Sequence, residues 1–315
     1  NSYNNIVEDN TVNGKPLVYL EDESDKFIDN AGQVILVKCK NITVMNSELT
    51  NTDVGIELWQ SDDCLISNSN ISSNRYQGIY LYKSKNNCIS NNTISSNIDG
   101  IELQQYSNNN CISNNTISSN IDGIYLDSSN NNCISNNTIS SNKGEGIDLV
   151  SSNNNCISNN TISNNNGIGS IELVVSDNNI ISYNNISSNR FCGIYLVDSD
   201  NNIIYLNNFI NNTYNACSGS STNIWNSTEP ITYTYNGKTF ANYLGNYWSD
   251  YTGSDANGDG IGDTPYSIDG DADNYPLMQP RENYAPAVPE ITSCDAQGNE
   301  KNQFMPGENV YVKGC

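Results

Sequence analysis

The sequence predicts an all-β chain: a right-handed parallel β-helix, a solenoid of 22–24-residue rungs, with a C-terminal cap and a short β-sandwich-like tail. Three observations carry this. A phrase of the form Cys-Ile-Ser-Asn-Asn-Thr-Ile-Ser starts at Cys88, Cys111, Cys133 and Cys156 and returns degenerately at Ile180, at spacings of 23, 22, 23 and 24 residues. A unit that short cannot bury its own apolar face, so neighbouring units must stack. The apolar runs, such as Ile101-Glu102-Leu103, alternate with period two and are too short for a helical face. Between them lie Asn, Ser and Gly, and Asn turns corners because it tolerates the left-handed backbone and bonds its own main chain.

Each element of a rung follows. Ile89, Ile94, Ile101 and Leu103 are core positions of one coil, and Ile112, Ile117, Ile124 and Leu126 of the next. Stacked Asn92, Asn115, Asn137 and Asn160 are expected to form an amide ladder. Counting coils to Thr213 gives roughly nine rungs, a rod about 40 Å long at the strand spacing. The outward position of the Ile-x-Leu strand reads Glu57, Tyr80, Glu102, Tyr125, Asp148, Glu172, Tyr195. Acid and tyrosine alternate for most of the column, which spares all but Asp148 and Glu172 direct stacking. The column reads either as a solvated face or as a glycan-contact stripe, with Tyr faces for sugar rings and acids for hydroxyls.

If Ile89 and its equivalents point inward, Cys88, Cys111, Cys133 and Cys156 point outward, continuing an apolar stripe with Leu65, Ile180 and Ile203. Cys64 falls one register earlier and stands outside this column. Three readings are open: a face covered by the tail or another subunit, disulfides within or between chains, and a soft-metal thiolate row. No cysteine sits in a zinc pattern and the chain has no histidine.

Lys+Arg number 13 against 35 Asp+Glu, a net charge of −22, which argues against nucleic acid or an anionic membrane surface as partner. No apolar stretch is long enough to span a bilayer. The chain opens inside a repeat-like phrase, so the ordered portion is expected to start within a longer precursor. Sequons at Asn41, Asn70, Asn91, Asn114, Asn136, Asn159, Asn185, Asn211 and Asn226 are candidate N-glycosylation sites of an exported protein.

The expected division is 1–213 for the β-helix, 214–282 for an aromatic-rich cap with an Asp-rich loop, and 283–315 for a Pro-rich linker and the start of a β-sandwich-like segment. In the cap, Tyr235-Asn236-Gly237-Lys238 reads as a hairpin turn. Asp255, Asn257, Asp259 and Asp263 stand at positions 1, 3, 5 and 9 of a calcium loop, with Gly260 at 6 and the Ile261 carbonyl at 7. The Glu expected at position 12 is Tyr266, and Asp269, Asp271 and Asp273 follow closely enough to complete the shell. A structural Ca²⁺ is therefore expected. In the tail, Cys294 and Cys315 are placed to clamp two strand-like runs, 290–294 and 309–313.

The stretch Asn13-Gly14-Lys15-Pro16-Leu17-Val18-Tyr19-Leu20, the Asn-Asn-Thr-Ile-Ser repeats, and Gly245-Asn246-Tyr247-Trp248-Ser249-Asp250-Tyr251 running into the Asp-rich loop resemble the NosD-type (periplasmic copper-binding protein-like) right-handed β-helix proteins. The likeness is greatest to the surface proteins of methanogenic archaea and covers most of residues 13–280. It implies an exported, envelope-associated protein. The copper of the family's name meets no histidine and three methionines here, and the repeat cysteines lie outside the family pattern. The fold is shared with sugar epimerases, pectin-cleaving lyases and glycosidases. A lyase site needs a cationic base, and a strongly acidic chain repels a polyuronate; a glycosidase needs convergent carboxylates, whereas these rungs are nearly uniform. The sequence thus reads as a non-catalytic extracellular structural protein of the cell surface: a surface-layer, sheath or filament subunit that associates with itself or with other envelope proteins. The alternative is a carbohydrate-binding or carbohydrate-processing β-helix with glycan partners.

Overall fold

A computed structural model describes residues 5–286, 292–294 and 311–313. The chain winds into a parallel β-helix with three faces. The first sheet has eleven strands, running from an antiparallel hairpin over Thr11–Val12 and Lys15–Glu21, through the Ile-x-Leu strands, to Tyr214–Gly219. The second carries the Cys-Ile-Ser strands and the third the Thr-Ile-Ser strands, nine strands in each. Pairing is in register throughout the repeat: Cys88 opposite Cys111, Thr93 opposite Thr116, Ile101 opposite Ile124. Every predicted core residue, from Ile89 to Leu126, is fully buried.

The corners show why the sequence repeats so closely. Where one amide ladder was expected, three run through the repeat, including Asn92–Asn115–Asn137, Asn87–Asn110–Asn132 and Asn97–Asn120–Asn142, with Ser47, Ser69 and Cys64 in the equivalent places of the first rungs. A serine ladder, including Ser61 and Ser84, runs beside the Asn87 ladder in the turn from the first sheet to the second. Asn115 is typical. Its Nδ2 donates to the Ile89 carbonyl at 2.9 Å and to Asn137 Oδ1 at 3.0 Å, while its own Oδ1 accepts from the main-chain N–H and Nδ2 of Asn92. One side chain thereby satisfies buried main-chain groups that no strand reaches. Cys64 occupies the place before Asn87 in one of these ladders, and its N–H donates to Asn87 Oδ1, which accounts for its offset from the outer cysteines. The repeat glycines serve close approach: a Cβ on Gly78 would lie 2.6 Å from the carbonyl oxygen of Gly100.

The cap continues the solenoid. Tyr247–Trp248 is the last strand of the third sheet, and Asn246 ends an asparagine ladder by accepting from Asn207. Trp225, Trp248 and Ile268 close the core, with the Trp248 ring stacked between Phe209 and Tyr266. Ile231–Tyr235 and Lys238–Asn242 form the expected hairpin, Asn236 and Gly237 both at positive φ as a primed turn demands. Thr292–Cys294 pairs antiparallel with Tyr311–Lys313. Cys315 and the rest of the tail, and with them the Cys294–Cys315 clamp and the sandwich-like segment, lie outside the described residues.

Candidate functional site

The outer face of the first sheet carries the acid–tyrosine column in its predicted order, each residue the Cα partner of the next: Glu57, Tyr80, Glu102, Tyr125, Asp148, Glu172, Tyr195. The column is partly shielded from solvent. Glu102 is only 4% exposed, and the others lie half-buried among the neighbouring rungs. A second acidic column, Asp99, Asp122 and Glu145, enters the same face three residues earlier in each rung. Asp99 lies beside Glu102, and Glu145 interacts with both Asp122 and Glu172. The signal for it was in the sequence, as the residue just before the repeat glycine. It was missed because only the period-two positions were followed outward.

Burial raises these carboxyls, and their mutual repulsion adds to it: Glu102, Asp122 and Glu172 to about 7, and Asp148 to about 8. None of these acids is in an ion pair among the described residues. Glu102 Oε1 accepts from Gln104 Nε2, but its Oε2 is buried without a hydrogen-bond partner, as is Asp148 Oδ1. Asp99 and Glu102 can bond each other only by sharing a proton, and the pairing raises Glu102 and lowers Asp99, which makes Glu102 the donor. Aromatic rings flank the acids. Trp59 stacks on Tyr82 at 4.0 Å, and Tyr80 Oη donates to Gln104 Oε1. An exposed ridge of Tyr76, Ile98, Ile121, Ile168, Phe191 and Tyr214 borders the face at the adjoining corner.

The four column cysteines sit on the outer face of the second sheet, half-buried, as free thiols. Directly paired residues of a parallel sheet hold their Cβ atoms about 4.8 Å apart, whereas a disulfide needs about 3.8 Å. The disulfide among the described residues is elsewhere, between Cys192 and Cys217, with Cα atoms 6.1 Å apart. Those two are not register partners: Cys192 faces Tyr214 and Cys217 faces Tyr195. Seven of the nine sequon asparagines are exposed; Asn185 and Asn226 are half-buried.

The Asp-rich residues divide into two groups. Asp255 folds back over its own loop, accepting from the N–H groups of Gly258, Asp259 and Gly260, while Asp259 accepts from Ile261 and Asp263 from Ala256. The donor set is all oxygen, as calcium requires. No three carboxylates converge closely enough to hold an ion among the described residues, so Asn257 and the Ile261 carbonyl would have to contribute. Asp269, Asp271 and Asp273 do something else: they accept the last donors of the solenoid. Ser218 N donates to Asp269, Asn223 N and Trp225 Nε1 to Asp271, and Asn246 N and Trp248 Nε1 to Asp273. Asp273 is fully buried, which pushes its carboxyl up to about 7 against these donors.

With this geometry in view, the sequence matches the family model for the periplasmic copper-binding protein NosD over residues 1–147 and 104–253. The chain belongs to the NosD family. No curated protein matches this NosD-family chain. Among solved structures, it resembles the periplasmic alginate epimerase AlgG, with 17% identity and a TM-score of 0.52 over 67% of this chain and 60% of that one. It also resembles the A-module of the Azotobacter vinelandii mannuronan C-5 epimerase AlgE6, with 15% identity and a TM-score of 0.53 over 67% and 65%. The NosD-family chain thus spans less than two thirds of the length of either epimerase, and the likeness is one of fold. A three- or four-ligand copper site does not fit the described residues, which bring no three metal-binding side chains together. The thiolate donors that remain for a soft ion are the free cysteine sulfurs. No helix among the described residues is long and apolar enough to cross a membrane.

Proposed function

We propose that this is an exported, non-catalytic β-helix that binds a neutral or amino-sugar glycan along the outer face of its first sheet. The observation that carries the reading is the acid–tyrosine column around Glu102, where half-buried carboxyls without an ion pair among the described residues, Glu57, Asp148 and Glu172, share one sheet face with Tyr80, Tyr125 and Tyr195. A sugar hydroxyl or ammonium donates to the half-exposed carboxyls of this face while its ring lies on tyrosine. The net charge of −22 disfavours a polyuronate. Near-uniform rungs, with no cation among the acids, favour binding over turnover. Retention on a panel of neutral and amino-sugar oligosaccharides, with alginate oligomers as the acidic arm, tests this. Binding should weaken at least tenfold in Glu102→Gln and Tyr125→Ala. Equal retention of both variants, or a preference for alginate, overturns it.

A second reading is supported by a different face. The outer cysteine column continues from Leu65 at one end through Ile180 and Ile203 to Ile224 at the other, an apolar stripe that Thr43 separates from Phe27. We infer a role as a cell-surface subunit of a layer, sheath or filament that packs this stripe against another copy. Electron microscopy and light scattering should show assemblies, and monomers at high concentration would count decisively against it. The Asp255–Asp263 loop is proposed to take one structural Ca²⁺.

A further inference from the structure

We propose that the cysteine column is a binding site for thiophilic, two-coordinate monovalent cations of the Cu(I)/Ag(I) class, one held between Cys88 and Cys111 and one between Cys133 and Cys156. The argument is one of spacing. Successive thiols are in-register neighbours on one sheet face. Their rungs are held about 4.8 Å apart by ladders at every corner. The Zn–S bond of about 2.3 Å sets the scale of a metal–thiolate bond, so two in line span about 4.6 Å, close to the sulfur spacing that register partners have when their side chains share a rotamer. The same spacing is too long for a disulfide between register partners, and the thiols are free. It is also wrong for zinc. A tetrahedral ion needs four ligands, and neither a histidine nor a third convergent ligand is present among the described residues. Soft thiolate sulfur selects the monovalent ion over harder competitors.

The surroundings suit such an ion. Each column thiol interacts with the next along the column, and each is met by the serine hydroxyl two residues on: Ser90, Ser113, Ser135 and Ser158. These hydroxyls steady a thiolate as donors to its sulfur. Leu65 and Ile180 close the two ends of the row, so the sulfurs sit in a half-dry stripe that disfavours a strongly hydrated ion. The step balances as two thiols plus one M⁺ giving one bis-thiolate complex of charge −1 and two protons released to solvent.

The test is titration, without oxygen, of the full chain with its Cys192–Cys217 disulfide left intact and Cys294 and Cys315 replaced by serine, using Ag(I), and Cu(I) with bicinchoninate as competitor. Thiolate-to-metal charge-transfer absorption should saturate at two equivalents, native mass spectrometry should show two bound ions, and each ion should release two protons. Cys133→Ser should lower the capacity to one. Replacement of all four column cysteines by serine should abolish binding at an unchanged melting temperature, because the column lies outside the core. Cys39 and Cys64, each 2% exposed, should contribute nothing. Binding that survives the fourfold replacement, a capacity indifferent to Cys133→Ser, or no competition against bicinchoninate overturns the proposal.

Discussion

Glu102 shows how one residue makes a surface both a site and a liability. Its carboxyl is raised to about 7 chiefly by burial and then by Asp99, and Asp148 is raised to about 8 by burial and Glu172. A carboxyl raised on folding binds its proton more tightly in the native state, so between the unfolded value near 4 and the folded value near 7 the native chain carries more protons than the unfolded one. Stability must then fall as pH rises across that window. The melting temperature is expected to be highest near pH 4–5 and to drop steadily toward pH 8. Glu102→Gln combined with Asp148→Asn should flatten the slope and raise the melting temperature at pH 8. Asp198→Asn, on the exposed surface, serves as the control for net charge. A slope equal in all three proteins would show that general charge repulsion, not this face, sets the dependence. Binding of a glycan hydroxyl or ammonium to Glu102 should itself move the double variant and the parent apart.

At the scale of the element, the rung is held by its corners as much as by its core. Asn115 makes or receives bonds to Ile89, Asn92 and Asn137, all buried. Asn115→Ala should orphan the Asn92 N–H and the Ile89 carbonyl, at about 1–3 kcal/mol for each buried group left unsatisfied. Denaturant melts should show a loss of roughly 2–4 kcal/mol, and a loss below 0.5 kcal/mol would mean that water replaces the ladder. Much of this was legible beforehand. Period two placed Ile89, Ile94, Ile101 and Leu103 in the core, and the phrase spacing set the register. The Asn87 and Asn97 ladders were not read. Asn is abundant at exposed and buried corners alike, and alternation cannot say which of two adjacent Asn turns inward; Asn91 is exposed while Asn92 is buried. The Cys192–Cys217 bond escaped for a related reason: it joins residues off register, which a column-by-column reading never compares. Asp269, Asp271 and Asp273 looked like metal ligands because an acid that caps orphan N–H groups has the same composition as one that binds an ion.

In the whole molecule, each rung touches only its neighbours, so stability is close to a sum along one dimension and its ends matter disproportionately. The C-terminal end is closed by a chain of contacts from ladder to loop. Asn207 bonds Asn246, Asn246 bonds Asp273, and the cap hairpin reaches the Asp-rich loop through Tyr233 Oη, which donates to the Asp259 carbonyl at 2.9 Å. Tyr284 Oη and the Met278 N–H both donate to the Gly260 carbonyl, fastening the same loop to the last segment of the cap. An ion that binds only the folded loop stabilises the state in which these bonds are made, by about 2.7 kcal/mol at a hundredfold excess over its dissociation constant. Because the cap is continuous with the third sheet, that gain should appear in the melting of the solenoid itself. Thermal scans by circular dichroism are therefore expected to shift upward by several degrees with millimolar Ca²⁺ relative to EDTA. Mg²⁺ should be a weaker substitute, since it demands a tighter octahedral shell. Asp255→Asn should remove most of the shift, while Asp271→Asn should lower the melting temperature equally with and without the ion, because Asp271 serves the Asn223 and Trp225 donors instead. Superimposable curves in Ca²⁺ and EDTA would assign the loop to the cap as a purely hydrogen-bonded turn, and a calcium shift that survives Asp255→Asn would move the ion elsewhere on the acidic surface.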